Sequence, residues 1–590
     1  MNVRAAGGNA ALLSRQVGSN NPCTDDIICP DGACCGPADN TTQLRECGFG
    51  KYDCVPLAPL TTLHARGLCV GLVAASGRNA EDSKKLCALG VCCSRFGFCS
   101  RDPDHCDVDK GCQSNCSLSA PPPQEKSVAS ARSRVIGYYS AASSSRKCRP
   151  FPPRAIPVNG LTHVNFAFAS VNHSSLEISQ PAAGTPDDPF LQVADIRSQQ
   201  SEGSNLRVFA AIAGSIILDN GTIGNIFQLI AEDKKKSETF SHNLLKFLNQ
   251  YGFDGVDLDW EYPGIPDPFT AWDSPDTEGF VNLLRIVHDT FATEPKRQLG
   301  ISFTIPTSYW YLKNFDIRHM MEYADWVNVM AFDLHGVWDS HNPLGNIVRP
   351  HTNLTEIKLS LELLWLNGVP AEKVNLGLGL YGRSFLLHDP ACGRPGCRFD
   401  GGANPGPCTT SSGTLAYFEI MDLINQQHPQ IIHDEAAAIK WAQYGQNDEE
   451  WVSFDDSDTL NAKVEWANST GLGGVMIWSI DQDDDSFSAL TAVVGGDMDS
   501  FQERLVKPSS DEALQRARLT AQGCKVSDCA GEGESSPPVG YALAPNGGGF
   551  PDRCTNGEKK YIFCPVDAIT RVPPAHICTW KPHDLWVHHT

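Results

Sequence analysis

Residues Gly252 to Gly264 read GFDGVDLDWEYPG and place four acidic side chains, Asp254, Asp257, Asp259 and Glu261, inside an otherwise apolar run. Strand side chains alternate between faces, so Asp257, Asp259 and Glu261 share one face while Val256, Leu258 and Trp260 share the other. In a parallel barrel the outward face packs on helices and is apolar. That assigns the three carboxylates to the interior, with Glu261 nearest the C-terminal mouth. Asp254 is out of phase and reads as structural. Alternate residues lie roughly 7 Å apart along a strand, near enough for carboxyl groups to meet when the side chains lean together. Burial and like-charge repulsion then hold at least one proton among them and leave a carboxylic acid able to donate.

Seven further apolar runs flank this strand: RVIGYYS from Arg134, LTHVNFAFAS from Leu161, LRVFAAIAG from Leu206, LGISFTIP from Leu299, DWVNVMAFD from Asp325, VNLGLGLYG from Val374 and GGVMIWSID from Gly473. Segments of helical period, such as IFQLIAEDKKKSETFSHNLLKFLNQ and TEGFVNLLRIVHDTFA, lie between them. Strand and helix alternating in this way predict an α/β fold, a (β/α)8 TIM barrel over residues 134–495. An open doubly wound sheet is the rival, but no glycine-rich phosphate fingerprint follows the first strand. The gap from Ser384 to about Glu450 is too long for an ordinary loop and reads as an α+β insertion at one barrel mouth.

Cysteine density divides the rest of the chain. Of 23 cysteines, fourteen precede residue 117, with the spacing Cys87-x4-Cys92-Cys93-x5-Cys99-x6-Cys106-x5-Cys112-x3-Cys116 and Cys69 as an eighth partner. The stretch from Cys29 to Cys54 repeats part of this pattern. Two small disulfide-stapled modules are expected, a degenerate one at 20–56 and a second at 66–118, then a proline-containing linker at 119–133. Residues 496–590 form a further cysteine-rich region. The odd total implies a free thiol, an intermolecular bridge or a chain cut short.

So many cysteines suit an oxidising compartment, as do six Asn-x-Ser/Thr sequons. Secretion is expected, although MNVRAAGGNAALLSRQ has no apolar stretch long enough for a signal peptide, which points to the recorded start or to an unconventional route. No 18-residue apolar run predicts a membrane span. A net charge of -22 argues against nucleic acid as a partner and is compatible with a neutral polymer.

A metal site or a structural acidic cluster would also gather carboxylates. No histidine lies on the acidic strand to favour zinc, and a calcium loop would want a glycine-centred turn. Glycoside cleavage needs a protonated acid at the leaving oxygen, and ordinarily a second carboxylate across the sugar. Asp259 and Glu261 come from one strand, so a nucleophile must come from elsewhere, the substrate included.

DGVDLDWE resembles the Asp-Gly-x-Asp-x-Asp-x-Glu signature of glycoside hydrolase family 18 chitinases, and the likeness extends over all eight strands. It implies substrate-assisted cleavage of chitin and N-acetylglucosamine oligomers, with no metal or other cofactor. Glu261 would protonate the glycosidic oxygen and later deprotonate water, Asp259 would orient the 2-acetamido group, and Asp257 would hold or trade the proton with Asp259. Trp478 resembles the tryptophan flooring the cleaved sugar's subsite. Tyr138, Phe166, Tyr381 and Arg383 match pocket-lining positions, Asp333 a substrate-binding aspartate and Trp338 an acceptor-side aromatic. Trp260, Tyr262 and Met330 join them as expected substrate contacts. Two positions depart from the family: MAFD puts Phe332 where a tyrosine is usual, and AIAG puts Ala211 where a serine is usual. A slowed enzyme, or one with an altered pH optimum, is the expected result.

The spacing from Cys87 to Cys116 is similar to the hevein-like chitin-binding domain, whose sugar contacts correspond to Ser94, Phe96, Phe98 and, in place of a tyrosine, His105. The C-terminal cysteines resemble the tail of large filamentous-fungus chitinases related to killer toxin subunits. Alternative readings are a chitin-binding lectin on an inactive barrel, or a toxin-delivery subunit with an unknown partner.

Overall fold

The computed structural model describes residues 87–95, 99–101, 103–116, 130–179, 189–199, 205–217, 223–264, 275–294, 297–341, 344–496, 524–527, 536–543 and 561–566, with strand pieces at 22–23, 34–35 and 45–48. The eight apolar runs form strands β1 Val135–Ser140, β2 His163–Val171, β3 Arg207–Ala213, β4 Gly255–Asp259, β5 Gly300–Pro306, β6 Trp326–Met330, β7 Val374–Gly379 and β8 Gly474–Trp478. Each pairs in parallel with the next, and β8 pairs with β1, so the sheet closes. Closure leaves no free edge and puts every second side chain inside. Val256 and Leu258 of β4 are fully buried against the helix layer while Asp257 faces the interior.

Local chemistry fixes β4's position. Asp233 caps helix Lys234–Tyr251 by accepting from the Lys235 N–H, and Gly252 ends that helix at φ 74°, a left-handed conformation that glycine adopts without steric cost. Below the triad, Asp254 is structural, as its phase predicts: it pairs with Arg197 at 2.9 Å and accepts from the Val208 N–H.

The insertion begins earlier than the gap in the sequence suggests. Strand Tyr381–Leu387 starts two residues after β7 and joins Phe399–Gly402, Thr414–Ala416, Ile431–Asp434, Ile439–Tyr444 and Glu450–Phe454 in an antiparallel sheet, with helix Tyr417–Gln427 packed beside it. Tyr381 and Arg383 therefore belong to its first strand. The disulfide Cys148–Cys408 ties it to the loop after β1.

In the small N-terminal module, disulfides join Cys87 to Cys99, Cys92 to Cys106 and Cys112 to Cys116. Leu89 and Val91 belong to the same apolar cluster as the barrel's outer layer. Asn367 donates to the Leu89 carbonyl at 3.1 Å, and Arg101 pairs with Glu362 of helix Leu354–Leu366. The module is thus docked on the barrel wall. Near the C-terminus, Cys524–Cys564 staples a small three-stranded sheet. No helix among the described residues is long and apolar enough to cross a membrane.

Candidate active site

Asp257 is fully buried at the barrel's centre. It accepts from the hydroxyls of Tyr138 and Ser302, both at 2.6 Å, and from the Asn328 amide at 3.0 Å. Burial nevertheless raises its pKa, against the pull of those donors. Ala211 is in register with Asp257 and offers no hydroxyl. Ser302 and Tyr138 supply donors from other strands, so the carboxylate is not bare.

Asp259, one pleat higher and 5% exposed, accepts from the Thr304 hydroxyl. Burial first, and then the charge of Glu261, push its pKa well above the ordinary value. Glu261 lies beyond the strand end. Desolvation by the surrounding protein, followed by the negative charge of Asp333, lifts its pKa to about 6. The stack is therefore short of full ionisation, and its outermost member is poised to donate.

Asp333 faces Glu261 from the end of β6. Burial alone would raise its pKa, but the charge of Arg383 and the bonds it donates outweigh that and hold it well below the usual carboxylate range. Both of its oxygens are occupied: Tyr381 and Arg383 Nε donate to Oδ1, and Arg383 Nη2 donates to Oδ2.

An aromatic floor and walls surround these groups. The Trp478 ring meets the edge of Tyr138 at 5.7 Å and stacks with Phe168 at 5.5 Å. Met330 and Phe332 are half-buried in the same interior cluster. Phe332 meets Tyr381 at 6.0 Å and brings no hydroxyl to the cleft. Tyr262 stacks on Tyr311 at 4.6 Å. Trp338 is exposed, with the Arg383 guanidinium over its ring at 4.9 Å.

Two expected contacts are corrected. Phe166 points out of the barrel and packs on Tyr139 and Phe190. Strand β2 shifts register between Ala167 and Ala169, and this bulge turns Phe168 to the pocket instead. Trp260, on the outward phase of its strand, is buried between Phe227 and Phe280. The donors to the stack, Ser302, Thr304 and Asn328, were not anticipated; their signal is polar residues at every second position of otherwise apolar strands. In the N-terminal module Ser94 is buried and His105 half-buried, while Phe96 and Phe98 lie outside the described residues. Among the described residues no group of His, Cys, Asp and Glu is arranged to hold a metal ion.

Known proteins resemble this chain in sequence and fold. The family model "Glycosyl hydrolases family 18" matches residues 134–483, and "Chitin recognition protein" matches 76–116. A probable chitinase, LysM11, of Penicillium expansum is 31% identical over 59% of this chain and 32% of its own length. The killer toxin subunits alpha/beta of Kluyveromyces lactis are 29% identical over 68% of this chain and 31% of theirs. The chain thus spans about a third of these fungal relatives. Among solved structures, the Ostrinia furnacalis Group IV chitinase in complex with allosamidin aligns at TM-score 0.52 and 26% identity, covering 61% of this chain and 97% of the other.

Proposed function

The chain belongs to family 18 of the glycosyl hydrolases, and we propose that it is a chitinase cutting β-1,4 bonds between N-acetylglucosamine units within the polymer. The observation that carries this reading is the pairing of a protonatable Glu261 with a second carboxylate, Asp333, whose two oxygens are both taken by Arg383 and Tyr381. Asp333 orients and does not attack, so the nucleophile comes from the substrate.

In the proposed sequence, Glu261 gives its proton to the glycosidic oxygen as the C1–O bond breaks. The 2-acetamido carbonyl oxygen bonds to C1, forming an oxazolinium ion whose nitrogen charge is balanced by Asp259. As that charge develops the proton held by Asp259 passes to Asp257, which leaves Asp259 as the carboxylate that balances it. Glu261 then removes a proton from water, which attacks C1, opens the ring and leaves the anomeric configuration retained. Trp478 is the floor for the cleaved sugar, and Trp338 an acceptor-side platform. The N-terminal module adds affinity for the polymer, and secretion is supported by the disulfides of that module and of the barrel.

Product analysis by proton NMR immediately after mixing with a chitin tetramer tests this. Initial release of the β-anomer supports substrate-assisted retention, whereas initial α-anomer contradicts it. A partner subunit co-purifying with the native chain would favour the toxin-delivery reading.

A further inference from the structure

Below the carboxylate stack, a line of fully bonded amides runs to the base of the barrel. Arg134 Nη1 donates to Asn375 Oδ1 at 3.1 Å, Asn375 Nδ2 donates to Asn328 Oδ1 at 2.8 Å, and Asn328 Nδ2 donates at 3.0 Å to both Asp257 and the Tyr138 oxygen. Asn328 and Asn375 are completely buried on adjacent strands, in register with one another. Room for the lowest contact depends on two glycines: a Cβ at Gly474 would stand 2.5 Å from Asn375 Oδ1, and one at Gly473 would stand 2.8 Å from Arg134 Nη1.

An amide can turn either end to a neighbour, but a guanidinium only donates. Arg134 therefore obliges Asn375 to show it oxygen, which turns the Asn375 N–H to Asn328, which in turn directs the Asn328 N–H at Asp257. We propose that Asn375 and Arg134 are positioning residues that fix the polarity of this chain, so that Asp257 always meets a donor and never an amide oxygen. This rests on the reading of Asp257 as part of the proton relay.

The consequence is electrostatic. Without the Asn375 donor, Asn328 is free to turn its oxygen to Asp257, and that contact is satisfied only by a protonated carboxyl. The other groups facing Asp257 set its background. Tyr138 comes from β1, Asn165 from β2, Ala211 from β3 and Ser302 from β5, with Asp259 above on its own strand. His163 lies lower on β2 and is kept neutral, its pKa lowered to about 3 by burial and by Arg207 and Arg134.

The test is kcat/KM against pH on a chitin tetramer for the full chain, Asn375→Leu, Asn375→Asp and Arg134→Lys. Asn375→Leu and Asn375→Asp should both move the acidic limb to higher pH, by about one unit, which is roughly tenfold in rate on that side. Arg134→Lys, still a pure donor, should keep the parent's limb. A uniform drop at every pH, with the limb unmoved, overturns the proposal. If the Asn375 variants do not fold, Arg134→Gln against Arg134→Lys decides, since only the former should shift the limb; a shift in neither overturns it. A parent chain silent at every pH would instead sink the chitinase reading. The relay is then judged on melting temperature: a raised Asp257 pKa gives stability that fades as pH climbs above about 4, and Asn375→Leu should carry that fading to higher pH than the parent. Superimposable pH dependences would overturn it.

Discussion

Arg383 grips Asp333 through two parallel bonds, Nε to Oδ1 at 2.7 Å and Nη2 to Oδ2 at 2.6 Å. The clamp keeps Asp333 ionised, and its negative charge is one of the two causes holding the proton on Glu261. The two carboxyls facing the cleft are thereby driven apart, one always charged and the other poised to donate.

Asp333→Asn removes that charge, so the pKa of Glu261 should fall. A general acid works only while protonated, so the alkaline limb of kcat/KM, expected near pH 6 from the value for Glu261, should move to lower pH. A pH–rate profile on a soluble chitin oligomer checks it, and a limb that stays in place or moves up contradicts the assigned role.

Phe332→Tyr restores a hydroxyl at the cleft surface beside Tyr381. Deleting one preorganised donor typically costs about 10²–10³ in kcat, so adding one should raise kcat by roughly tenfold or more, with less change in KM. An unchanged kcat would mean that the missing hydroxyl is not what limits this chain.

Breaking Cys148–Cys408 by paired serine substitutions frees the loop after β1 from the insertion. The cysteines are 260 residues apart, and closing a long loop contributes about 2–5 kcal/mol, so the unfolding temperature should drop by several degrees in calorimetry. An unchanged transition would show that the link does not stabilise the barrel.

Phe98→Ala in the N-terminal module should cut retention on solid chitin several-fold while tetramer turnover stays within twofold. The role proposed for the module's aromatics is polymer capture, and the role proposed for Trp478 in the barrel is separate from it. Equal retention would assign the module a structural role.

How much of this was legible in the sequence follows from period and register. The barrel was, because each strand carries an unbroken apolar outer face, and period two sufficed to turn Asp257, Asp259 and Glu261 inward. Phe166 was misassigned by resemblance although its own phase, with Ala167 inward, points outward; the bulge after Ala167 turns Phe168 to the pocket instead, and no local residue type announces it. Trp260 was misassigned by resemblance although its own phase pointed outward. Ser302, Thr304 and Asn328 went unseen as a set because their meaning depends on which strands are neighbours. The docking of the N-terminal module through Leu89 was equally hidden, since single apolar residues in a cysteine-rich segment look like that segment's own small core.

The most direct measurement is release of reducing ends from chitin oligomers by the purified chain beside Glu261→Gln. Activity in the parent and its loss by at least a hundredfold in the variant is the predicted result, consistent with about 10²–10⁴-fold for a general acid. Equal silence in both, with chitin still drawing the protein from solution, would contradict it and leave the barrel as a binding site.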